Sequence, residues 1–112
     1  MSTDIPETTS PDLSRVEVDI MQGAVVLEFG AGWCGYCQAA QPMIRKVFAN
    51  NPSLRHLKIE DGKGKRLGRS FSVKLWPTLI FMRDGVEVSR VVRPTDELTI
   101  RQSLAKILPH IG

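Results

Sequence analysis

Cys34 and Cys37 are the only cysteines in the chain, and they stand two residues apart in Trp33-Cys34-Gly35-Tyr36-Cys37. A thiolate is the nucleophile of disulfide exchange, and two thiols at this spacing can act in turn. The apolar run Val25-Val26-Leu27-Glu28-Phe29 lies just upstream, and an amphipathic stretch from Gln38 to Asn50 lies just downstream. The pair therefore falls where a buried strand ends and a helix begins. Unpaired backbone N–H groups and the positive end of the helix dipole point at such a position and favour a thiolate. Cys37, three residues on, shares a helix face with Cys34. This predicts Cys34 as the exposed nucleophile and Cys37 as the more buried thiol that resolves a mixed disulfide. Two other readings are weaker. Structural zinc takes about four ligands, whereas one C-x-x-C supplies two, and His56 and His110 have no ligand-like spacing. No metal site is expected. Two idle cysteines, buried as small hydrophobes, are the remaining alternative.

The elements that must position the pair follow from pattern. Ala24 to Phe29 is nearly all apolar, the mark of a strand buried on both faces. Ala40, Met43, Ile44, Val47 and Phe48 form one helical stripe, with Pro42 inside the helix as a predicted kink. Leu54 to Ile59 reads as a second strand, Asp61 to Gly64 as a turn and Lys65 to Phe71 as a short basic helix. Thr78 to Met82 and Val86 to Val92 flank Asp84-Gly85, a hairpin signal. Thr95 or Asp96 caps a last helix with the stripe Ile100, Leu104, Ile107 and Leu108. Residues 12 to 21 fit a short helix or an edge strand equally. The order predicts an α/β fold, a mixed sheet with helices on both faces.

Composition bounds the partners. At 112 residues, one domain is expected over 12–112, after a frayed polar tail over 1–11. Net charge is +3, too small by itself for a dedicated nucleic-acid binder. Lys63, Lys65, Arg69 and Arg66 read as a solvated helix face. No stretch reaches the ~18 apolar residues of a membrane span. No secretory signal is visible, which predicts a reducing cytoplasmic setting and no lasting structural disulfide.

Several residues together resemble the thioredoxin family. Leu27-Glu28-Phe29 and Trp33-Cys34-Gly35-Tyr36-Cys37 are similar to its strand and active-site loop. Pro42 stands where that family's helix carries its kinking proline, Trp76-Pro77-Thr78 looks like its cis-proline loop, and Asp84-Gly85 matches its hairpin. The resemblance implies the thioredoxin fold and a thiol–disulfide oxidoreductase acting on protein disulfides, with the Cys34–Cys37 disulfide as its only redox group and no other cofactor. It implies a monomer recharged by a thioredoxin-reductase-like enzyme or by glutathione. Pro77 would be cis and would face Cys34, letting a substrate chain lie alongside. By spacing alone, Glu28 is a solvated residue on a strand face. The resemblance instead implies a buried acid beneath Cys37 that exchanges its proton, with a pKa raised by burial. Lys58 falls where the family places a lysine that tunes the acid.

Other residues depart from that pattern. Gly35-Tyr36 replaces the usual Gly-Pro; tyrosine in this slot resembles glutaredoxins and periplasmic disulfide isomerases. A weaker reductant than an ordinary thioredoxin is therefore expected. Trp76 stands where a smaller aliphatic is common, and Arg93 where the family has glycine. With Trp33, Gly35 and Tyr36 they would ring Cys34, favouring acidic or aromatic peptides. Reduction is the expected direction. The alternatives are a disulfide isomerase or oxidant, and a non-enzymatic binding or chaperone module.

Overall fold

A computed structural model describes residues 13–109; the tail over 1–11 and His110 lie outside the described residues. The chain order is α1 (Arg15–Asp19), β1 (Ala24–Gly30), α2 (Gly35–Phe48), β2 (Arg55–Glu60), α3 (Arg66–Ser70), β3 (Thr78–Arg83), β4 (Val86–Val92) and α4 (Glu97–Ala105). The strands form one sheet in the order β2-β1-β3-β4. The β1–β2 pair is parallel, as a crossover helix requires, and the other two pairs are antiparallel. This is the mixed α/β sheet that the pattern predicted.

Strand β1 is the centre because both its edges and both its faces are covered. Successive side chains alternate between faces. Val26 joins Ile44 and Val47 of α2, Ile100 and Leu104 of α4, and Leu79 and Phe81 of β3 in one core. Val25, Leu27 and Phe29 join Val18 of α1, Leu67 and Phe71 beyond the sheet's other face. Glu28 has the parity of Val26, so its carboxylate points into the α2 side. That parity decides the chemistry available to Cys37.

The ambiguous stretch before β1 is a helix. Ser14 caps it in a capping box, its hydroxyl accepting the Glu17 N–H at 3.1 Å while Glu17 accepts the Ser14 N–H at 2.8 Å. The Asp84-Gly85 turn has positive φ at both residues, +50° and +81°, as the two-residue hairpin requires. A side chain at Gly85 would also run into the Asp19 carbonyl. Asp96, not Thr95, caps α4 by accepting the Thr99 N–H at 2.9 Å. Helix α2 begins at Gly35, three residues before the apolar periodicity starts, so the cysteine loop itself is its first turn.

Candidate active site

Cys34 is the N-cap of α2, with extended backbone (φ −80°, ψ 118°). Its Sγ accepts the Cys37 N–H at 3.1 Å, and its own N–H donates to the Ala31 carbonyl at 3.1 Å. An N-cap acceptor and an N–H two or three residues on is the normal geometry of a helix start; here the acceptor is a sulfur. The expected contrast in exposure is corrected: Cys34 is 5% and Cys37 7% exposed. Trp76 packs against Ala31, Cys34 and Cys37, which explains why the first thiol is covered. Hydrogen bonding and electrostatics separate the two instead. Burial first, and then the contact with the Cys34 side chain, push the Cys37 thiol up to about 11. Each sulfur has a backbone donor, the Cys37 N–H at Cys34 and the Ala31 N–H at Cys37, and the Ala31 bond only partly offsets the upward push on Cys37. Gly30 leaves room for this packing, since a Cβ there would stand 2.7 Å from the Cys37 Sγ.

Glu28 is buried, 5% exposed, on the strand beneath α2. Both carboxylate oxygens are engaged. His56 Nε2 lies 2.6 Å from Oε1, and Gln41 Nε2 donates to Oε2 at 2.6 Å. The Lys58 ammonium donates to Gln41 Oε1 at 2.9 Å, orienting that amide. The expectation of a raised pKa is therefore corrected. Burial does push the Glu28 carboxyl up, but hydrogen bonding and attraction from His56, the Gln41 bond and the Lys58 charge outweigh it and hold it below its usual value. A cavity of about 360 Å³ joins Glu28, Gln41, Lys58 and Cys37. It is roomy enough for water, and Glu28, Gln41 and Lys58 supply polar partners for one that bridges carboxylate and thiol.

His56 was not among the sequence-based site residues. Its signal was parity: it stands two residues before Lys58 in β2, so both face α2, and Lys58 pairs in register with Glu28. Its ring also packs edge-on against Phe48, with centroids 4.6 Å apart. Lys58 does reach the acid's environment, though through Gln41.

The ring of residues around Cys34 is assembled as a connected surface. Trp33 is 75% and Tyr36 60% exposed. Trp33 meets Trp76 edge-to-face with centroids 5.3 Å apart. The Arg93 guanidinium stacks 3.8 Å above the Tyr36 ring, and its Nε donates to the Trp76 carbonyl at 2.9 Å. Arg93 adopts a φ of +50°, a conformation that favours glycine, and its N–H donates to the Pro77 carbonyl at 2.9 Å. The Trp76-Pro77 bond is cis, and Pro77 is buried. Gly35 is exposed beside Cys34. Among the described residues, no three His, Cys, Asp or Glu side chains gather into a metal-holding group, and no helix is long and apolar enough to cross a membrane.

The thioredoxin family model matches residues 8–106. The chain is 33% identical over 87 residues to a thioredoxin of Chlamydia trachomatis, covering 78% of this chain and 85% of that protein. It is 34% identical over 82 residues to thioredoxin H-type 1 of Nicotiana tabacum, covering 73% of this chain and 64% of that longer protein. The solved structure of reduced thioredoxin 2 from Pseudomonas aeruginosa superposes with a TM-score of 0.81 at 48% identity, covering 92% of this chain and 95% of that one. Thioredoxins are protein-disulfide oxidoreductases whose only redox group is their own cysteine pair. With that pair at the start of α2, the sheet order and a match over nearly the whole length, the chain belongs to the thioredoxin family.

Proposed function

We propose that this protein reduces protein disulfides, and that it is a weaker reductant than an ordinary thioredoxin. The observation that carries the reading is the asymmetry of the pair. The Cys34 sulfur caps the start of α2, while burial and the Cys34 side chain make Cys37 a high-pKa thiol despite its Ala31 bond, beside a cavity shared with an ionised carboxylate. Cys34, as the thiolate, attacks one sulfur of a substrate disulfide. A Cys34–substrate disulfide forms and the other substrate sulfur leaves as a thiolate. Cys37 then gives up its proton and attacks the Cys34 sulfur. The mixed disulfide breaks, Cys34–Cys37 forms, and the second substrate thiolate leaves. The substrate gains two electrons and the pair loses two; a reductase or glutathione returns them.

Glu28 is the acceptor for the Cys37 proton, through water in the shared cavity. Because its carboxyl is held ionised, it has an open site for a proton passing from Cys37 at neutral pH, and His56 holds its other oxygen in place. Trp33, Gly35, Tyr36, Trp76, Pro77 and Arg93 receive the substrate chain, and Lys58 orients Gln41. Gly35-Tyr36 in place of Gly-Pro supports the weaker reducing power. Equilibration with glutathione should give a potential above about −270 mV, the usual thioredoxin value; a value as low as that would overturn it. Cys37→Ser, which stops the second step, should accumulate Cys34-linked protein partners that mass spectrometry identifies. Cys34→Ser should capture none. Equal capture by both variants would exclude the assigned order of attack.

A further inference from the structure

A second cavity, about 390 Å³, opens on the other side of Trp76. Lys63, Lys65, Arg69 and Lys74 line it, together with Asp61 and Trp76. Among the described residues, none of these four cations makes an ion pair or side-chain hydrogen bond. The one carboxylate in the groove is occupied. Asp61 Oδ2 accepts the Trp76 indole N–H at 3.0 Å, and the carboxylate lies against Gly68, where any side chain would collide with it. Four like charges thus share one concavity with a single, already engaged anion. Ordinary surface lysines scatter among acids; these do not. Their placement is also specific: Trp76 is the wall between this groove and the Cys34–Cys37 pair, lining the first and packing on the second.

We propose that the groove docks an acidic segment of the protein whose disulfide Cys34 attacks. The proposal rests on the exchange reading of Cys34 and Cys37. A chain lying in extended form beside Cys34 and Pro77 would pass Trp76, and carboxylates flanking its cysteine would reach Lys63, Lys65, Arg69 and Lys74. Electrostatic complementarity of this kind raises the rate of encounter and selects among partners, and it is screened by salt. Net charge is only +3, so the basic character is concentrated here rather than spread. A groove this short, with Trp76 as its only aromatic wall, fits a peptide segment better than a nucleic-acid strand, which needs a longer basic track and stacking platforms.

The test compares two synthetic peptides carrying the same internal disulfide, one flanked by aspartates and glutamates, the other by serines and glutamines. At low salt the wild-type protein should turn over the acidic peptide with kcat/KM about tenfold higher, from roughly three exposed charge pairs. That advantage should vanish at high salt. In the triple variant Lys63→Glu, Lys65→Glu, Lys74→Glu the preference should disappear or invert. The salt dependence needs no variant, so a folding defect cannot mask the result. Equal turnover of the two peptides at low salt, or a preference that salt leaves untouched, overturns the docking proposal alone. A wild-type protein that turns over neither peptide overturns the exchange reading and the docking with it. Competition by single-stranded DNA stronger than by the acidic peptide assigns the groove to another class of ligand and likewise overturns it.

Discussion

Glu28 differs from an isolated buried acid because every polar atom of its carboxylate has a partner. An unpartnered carboxyl at this depth would be pushed up and neutral; paired, it stays charged. The sign of its pH effect follows. Its folded pKa lies below the ordinary 4.5, so its contribution to stability is present above that value and is lost as pH falls through the folded pKa. His56→Val removes one donor and leaves the burial. In that variant Glu28 should titrate above 4.5, and the group should oppose folding at neutral pH by about 1–3 kcal/mol. Unfolding in urea across a pH series checks this: acidification towards pH 4.5 should raise the variant's stability through Glu28, and wild-type-like behaviour would contradict the pairing. Type and spacing exposed Cys34 and Cys37 in the sequence, and only the resemblance to the thioredoxin family pointed to Glu28. The sequence hid His56, because a histidine in a strand has no local mark of its partner two strand positions and one helix away.

At the scale of elements, the junction of β1 with α2 decides how the pair works. The strand ends at Gly30 and the helix begins at Gly35, and the loop between them brings Cys37 back over the strand. Gly30 is the contact point. Gly30→Ala would put a methyl group against the Cys37 sulfur. It should cost about 1–3 kcal/mol in urea unfolding and slow the resolving step, so that mixed disulfide accumulates during single turnover; unchanged resolution would show that the junction yields. Apolar periodicity located α2 but began it too late, at Gln38, because its first turn is written in Gly, Tyr and Cys rather than in a stripe. Pro42 sits inside the helix as expected. Its missing N–H leaves the Gln38 carbonyl without the usual donor.

In the whole molecule, the sheet separates two cores, and each performs a different task. The α2 and α4 side holds Glu28 and the helix that carries Cys37; the α1 and α3 side backs the strand and the basic groove. Phe81 is fully buried in the first core, opposite α2 and α4. Phe81→Ala should cost about 3–5 kcal/mol, a large part of the total stability of a domain this size. Thermal unfolding should fall accordingly, and a loss below 1 kcal/mol would mean the core collapses around the gap. The sequence alone determined the redox pair, the strand–helix–strand order and the hairpin, because these depend on neighbours in the chain and on short periods. Only the tertiary structure decided the charge state of Glu28, its pairing with His56, the near-equal burial of both cysteines and the stacking of Arg93 on Tyr36 with its bond to the Trp76 carbonyl. Each of those depends on parity, register and packing between elements far apart in the chain, which no local pattern encodes.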